Sequence, residues 1–144
     1  CVKAYPEIER ARDKYLGQLR FVYRHVPRGK GDGFTKQAAE ASEAAAAQGK
    51  FWQMHRALYL HSDQHDTEHL VAHAESIGLD VPRFVSELET HAHAARVKEL
   101  AVRALRNGVV GVPTLFLGGL HLEEPPVFEA LDRAIASRLA SVKR

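Results

Sequence analysis

Two features of this chain could do chemistry: a lone thiol at Cys1, and a proline, Pro113, that opens a short apolar run. A thiolate is a nucleophile that attacks disulfides. A single cysteine cannot cycle between a dithiol and an intramolecular disulfide, but it can form a mixed disulfide or link two chains. The proline lies in Gly-Val-Val-Gly-Val-Pro-Thr-Leu-Phe-Leu-Gly-Gly, residues 108–119. Proline cannot donate to a sheet ladder, so it belongs at a strand's first residue or edge. Val112-Pro113 is an X–Pro bond, the peptide type that adopts cis at modest cost. A cis bond there would turn the chain sharply and leave the Val112 backbone open to an extended peptide. An ordinary loop entering a strand accounts for the local string equally well.

The nine histidines are the other candidates. His61, His65, His69 and His73 recur every four residues, as metal ligands along a helix would. Residues 62–67 read as a loop and N-cap, however, so His61 and His65 precede the helix that carries His69 and His73. With Leu70, Ala74 and Ile77 on the core face, the two histidines are expected near its polar border, on a solvated surface and without a metal. No Ser/His/Asp order, phosphate loop or paired-carboxylate site stands out.

The elements that must position these residues are mostly helical. An amphipathic helix is expected over residues 2–16, with Pro6 kinking it or marking its first turn. Residues 19–25 alternate and are rich in aromatic and β-branched types, which predicts a strand ended by Pro27. A loop with three glycines follows at residues 28–33. Helices are then expected over residues 35–48 and 51–61, from Asp66 or Thr67 to Gly78, from Asp80 with proline in its first turn, and over 92–106. A strand at 114–117 turns through Gly118-Gly119 into residues 120–122, and Pro125-Pro126 opens a last helix to about residue 140. Phe51, Trp52, Met54 and Tyr59 read as core of the central helices.

Size and composition exclude several classes. At 144 residues, 45% hydrophobic and 26% charged, the chain is expected to be a single globular domain, 1–144. The net charge of +2 and the absence of a basic run with interleaved aromatics argue against nucleic acid. No apolar run is long enough for a membrane span. The opening Cys-Val-Lys-Ala-Tyr-Pro lacks the pattern of a leader and reads as a cut edge.

This order of elements resembles the thioredoxin fold with a helical insertion, and more closely the DsbA family of bacterial thiol–disulfide oxidoreductases. Cys1 stands five residues before Pro6, the spacing from the second cysteine of a CxxC to the proline that kinks its helix. Residues 19–27, LRFVYRHVP, are similar to the family's second core strand. Residues 38–55, AAEASEAAAAQGKFWQMH, are close to the insertion's usual stretch, and Gly78-Leu-Asp with Arg83-Phe84 continues it. Gly111-Val-Pro-Thr-Leu-Phe is similar to the family's cis-proline loop, with Val112 where threonine is common.

The resemblance implies an α/β, thioredoxin-like fold with an inserted helical subdomain at about 34–106. It implies exchange of disulfides with protein or peptide thiols, a redox partner protein and no cofactor. Cys1 takes the place of the resolving thiol, and Val112 and Pro113 that of the substrate-facing loop. The family's first core strand and nucleophilic cysteine would lie upstream of Cys1, so the 144 residues alone are expected to be inactive. The central gap left in the sheet is expected to be filled by upstream residues or by a second chain, as a dimer or strand exchange. A glutathione-dependent isomerase on the same fold and a non-catalytic peptide-binding module are the alternatives. Nothing in the residues assigns a compartment.

Overall fold

The computed structural model describes residues 1–27 and 33–143. They form α1 (Tyr5–Lys14), α2 (Gly33–Ala47), α3 (Phe51–Leu60), α4 (Thr67–Ser76), α5 (Val81–Glu89), α6 (Ala94–Arg106), β1 (Phe116–Leu117), β2 (Leu120–His121) and α7 (Phe128–Val142). The chain divides into two compact units, one made of residues 1–23 and 109–144, the other Arg24–Gly108.

In the first unit Pro6 falls in the first turn of α1, where its missing N–H costs nothing, so it starts the helix rather than kinking it. Ala11 and Tyr15 of α1 pack against Leu131 and Ile135 of α7, and Leu19, Leu115, Leu117 and Leu122 close the cluster. The hairpin pairs Phe116 with His121 and Leu117 with Leu120, antiparallel. Its turn, Gly118-Gly119, has φ of 58° and 85°. Two successive positive φ values suit glycine and match a two-residue hairpin turn. The Leu122 N–H donates to the Leu115 carbonyl at 2.9 Å, continuing the pairing past the two-residue strands.

The second unit is helical among its described residues. A stripe of small residues on α2, Ala38, Ala41, Ala44 and Ala45, lets its neighbours approach closely. Met54 and Leu58 of α3, Leu70 and Ala74 of α4, and Phe84 and Leu88 of α5 fill the space against it. The helix ends are held by local chemistry. Asp66 accepts from the His69 N–H at 3.2 Å and Asp80 from the Arg83 N–H at 3.1 Å, both as N-caps. Gly78, at φ 74°, ends α4. The Lys50 ammonium donates to the Ile77 and Gly78 carbonyls at 2.7 and 3.0 Å, placing a cation on the negative end of that helix. Gln48 and the Asp80 backbone exchange two hydrogen bonds, 2.8 and 3.3 Å, which tie the end of α2 to the start of α5.

The strand expected at residues 19–25 does not form. These residues join no ladder, although their burial alternates along the run from half-buried Leu19 to buried His25. Alternation sets which face of a strand is apolar, but a strand exists only where a neighbour takes its N–H and C=O groups. The expected strand 114–117 shrinks to Phe116–Leu117 for the same reason: β2 is its only ladder partner among the described residues. The α/β expectation is met only in part: the described residues are mostly helical, with one two-stranded sheet. The glycine loop at 28–33 lies outside the described residues except for Gly33, the first residue of α2.

Phe84 has no exposed surface. Phe84→Ala is expected to lower unfolding stability by about 3–5 kcal/mol through the cavity it leaves. Urea denaturation checks this, and a loss below about 1 kcal/mol would contradict the packing described.

Candidate functional site

Cys1 is exposed and lies one turn before α1. Its carbonyl accepts from the Ala4 and Tyr5 N–H groups, both at 3.0 Å, so the residue is held against the start of the helix. The Val112-Pro113 peptide bond is cis, and both residues are exposed. The Thr114 hydroxyl donates to the Gly111 carbonyl at 2.6 Å across the bend. Beyond it, Leu115 and Leu117 enter the cluster that also holds Ala11 and Tyr15 of α1. The helix that follows Cys1 and the run that follows Pro113 thus enter one apolar cluster of one unit.

The rim of that cluster is polar and ordered. The Tyr15 hydroxyl donates to Asp132 Oδ1 at 2.6 Å, and Lys14 Nζ lies 2.6 Å from the same oxygen. The Lys14 and Tyr15 hydrogen bonds hold the Asp132 carboxyl below the usual carboxylate range, and the same contact with Asp132 raises the Lys14 and Tyr15 pKa values. Glu7 accepts from the Phe128 N–H at 2.8 Å, capping α7 from α1, and the Arg10 guanidinium sits 3.7 Å from the centre of the Phe128 ring. These contacts fix α1 against α7 and so fix where the helix presents Cys1.

His61 and His65 precede α4 and His69 is half-buried, as expected, but His73 is not on the solvated surface. His73 is buried, its Nε2 has no hydrogen-bond partner, and its ring stacks on His61 with centroids 5.2 Å apart. Burial first, and then the His61 ring, push the His73 pKa down. The signal was present in the spacing: Leu70, Ala74 and Ile77 define a face that position 73 shares. His69 pairs with Asp66, and His65 Nε2 lies 3.0 Å from the Leu58 carbonyl.

Three further histidines each meet a carboxylate. His25 lies 3.0 Å from Glu43, His91 3.0 Å from buried Glu40, and His93 2.8 Å from Glu87. The hydrogen bond from His25 is the main cause of a lowered Glu43 pKa. Buried His25 and His55 both flank Phe51, in a ring group that includes Trp52 and Tyr59. Phe51, Trp52 and Tyr59 are half-buried, so only Met54 of the expected aromatic-rich core is fully enclosed. No group of three or more His, Cys, Asp or Glu side chains among the described residues could hold a metal ion.

The profile of a family described as Thioredoxin matches residues 1–137. Among curated proteins, the chain is 36% identical over 143 residues to Na(+)/H(+) antiporter NhaA 3 of Salinispora tropica, covering 99% of this chain and 22% of that protein. It is 33% identical over 143 residues to Na(+)/H(+) antiporter NhaA 1 of Salinispora arenicola, with the same coverage of 99% and 22%. It is 34% identical over 122 residues to Na(+)/H(+) antiporter NhaA of Herminiimonas arsenicoxydans, covering 85% of this chain and 19% of that protein. The chain therefore spans about a fifth of the length of these relatives. No solved structure matches it.

His73 gives a pH dependence with a definite sign. Its folded-state pKa lies below the unfolded value near 6.5, so the fold prefers the neutral ring. Its contribution is fully present above about pH 6.5 and is lost as the pH falls through the folded-state value. The urea midpoint is expected to drop between about pH 7.5 and pH 5.5, and to drop less in His73→Leu. Equal drops in the two proteins would remove His73 from the account.

Proposed function

The chain belongs to the thioredoxin family, and from that premise we propose that it is the DsbA-like part of a thiol–disulfide oxidoreductase. Cys1 is its resolving thiol, and Val112-Pro113 is the loop that holds an extended substrate. The carrying observation is that α1, which follows exposed Cys1, and Leu115 and Leu117, which follow the exposed Val112-Pro113 bend, enter the same cluster with Leu131 and Ile135. The helical unit Arg24–Gly108 is read as an insertion into the thioredoxin-like unit, leaving it after residue 23 and returning at 109.

The electron balance defines what the 144 residues do alone. In a two-thiol cycle one thiolate attacks a substrate disulfide, forming a mixed disulfide and releasing one substrate thiolate. The second thiolate then attacks the enzyme sulfur of that bond, closing an enzyme disulfide and releasing the other substrate thiolate. The substrate is reduced and the enzyme oxidised, and the reverse sequence oxidises a substrate. Cys1 is the only cysteine, so the first thiol comes from outside these residues. Alone, the Cys1 thiolate attacks a disulfide once, keeps one half as a mixed disulfide and expels the other half as thiolate.

A second reading draws on the antiporter relatives: a thioredoxin-family domain attached to an Na(+)/H(+) antiporter, holding extended peptides at the Pro113 loop without redox turnover. The two readings part at the thiol. The 144-residue chain is expected to release about one equivalent of coloured thiolate from dithiobis(nitrobenzoate), and Cys1→Ser none. The chain is also expected not to reduce insulin disulfides catalytically. Failure of Cys1 to react under native conditions, or catalytic insulin reduction by the 144-residue chain or by Cys1→Ser, would overturn the first reading.

A further inference from the structure

Charge is not evenly spread over this chain. Helix α6 carries Arg96, Lys98, Arg103 and Arg106 against a single acid, Glu99, a net +3. The whole chain is only +2, so everything outside α6 sums to −1. The helix buries Val97 and Leu100 on one side. Its other side presents Ala95, Lys98, Glu99, Val102, Arg103 and Arg106 along a shallow, open depression of about 450 Å³. These positions recur at three- and four-residue spacing, so they form one stripe along a helix of 13 residues, about 20 Å in length. Glu99 is shared between Arg103 at 2.6 Å and Arg96 at 3.5 Å. Lys98 and Arg106 have no carboxylate partner among the described residues and are exposed.

We propose that this face of α6 docks on a bilayer surface containing anionic phospholipid. A cationic stripe with short apolar side chains between the charges, here Ala95 and Val102, sets ammonium and guanidinium groups at headgroup phosphates while the alkyl stems lie at the apolar boundary. Each cation near an anionic surface adds a roughly equal attraction. Leu105, 64% exposed beside the stripe, adds an apolar contact. Helix α6 has no aromatic residue for stacking on bases, which sets it apart from a single-stranded nucleic-acid platform. The choice of a bilayer rests on the second reading above, in which this domain is attached to an Na(+)/H(+) antiporter, the name its matched relatives carry. No helix of the described residues is long and apolar enough to cross a membrane, so the contact is peripheral.

The test is co-sedimentation of the 144-residue chain with vesicles of phosphatidylcholine alone and of an equal mixture with phosphatidylglycerol. Binding to the mixture, absent on phosphatidylcholine and weakened by added salt, is expected. The double variant Lys98→Gln/Arg106→Gln is expected to bind the mixture about 30-fold more weakly, while Lys3→Gln/Lys36→Gln changes it by less than about threefold. Helical circular dichroism matching the parent certifies that the variants are folded. Equal binding to both vesicle types, no binding to either, or an equal loss in the two double variants would overturn the proposal. So would displacement from the vesicles by duplex DNA at equal phosphate concentration, which marks a general polyanion site. Cys1→Ser is expected to bind vesicles as the parent does, so failure of lipid docking and failure of the thiol chemistry register in separate assays.

Discussion

The thiol side of this molecule depends on one small apolar cluster. Ala11 and Tyr15 of α1 meet Leu131 and Ile135 of α7, and Leu115 and Leu117 enter from the loop that follows Pro113. Removing these side chains from water is the main favourable term holding α1, the hairpin and α7 together. The polar contacts at its rim make the arrangement specific. Tyr15 and Lys14 converge on one Asp132 oxygen, and Glu7 supplies a cap to α7 that its own Val127 N-cap cannot. An exposed cysteine on a frayed terminus would have no defined environment. Here the Cys1 carbonyl is tied into the first turn by two hydrogen bonds.

The helical unit solves a different problem. Its alanine stripe on α2 allows close packing around Met54, Leu70 and Phe84, none of which has exposed surface. Titratable groups are drawn into that packing with partners. Glu40 is buried and meets His91, Glu43 meets buried His25, and Glu87 is shared by Arg83 and His93. His73 is the exception, a buried ring with an unpaired nitrogen, and it makes the α3–α4 corner sensitive to acid.

Much of this was legible in the sequence because helices announce themselves locally. Asp66 and Asp80 as N-caps, Gly78 as a stop, Pro6 and Pro82 in first turns and the apolar face of α4 all depend on residues within a few positions of one another. The strand at 19–25 failed because its existence depends on a partner, and no local pattern supplies one. Its alternating burial survives without a ladder. The burial of His73 was missed by residue type rather than by spacing, since a histidine among Leu70, Ala74 and Ile77 reads as polar until its face is counted. The carboxylate partners of His25, His91 and His93 were not legible. His25–Glu43 and His91–Glu40 join residues 18 and 51 positions apart, and His93–Glu87 crosses the break between α5 and α6.

In the proposed function Cys1 has one role, that of the thiol which resolves a mixed disulfide formed at another cysteine. The most direct measurement is to trap that intermediate in the protein at its full natural length. Parent and Cys1→Ser proteins are mixed with a disulfide-bonded peptide, quenched with acid and weighed intact by mass spectrometry. Cys1→Ser is expected to accumulate a protein–peptide mixed disulfide, while the parent passes through it to an internal disulfide and free peptide thiols. Equal turnover in both proteins, with no adduct in the variant, would contradict that role.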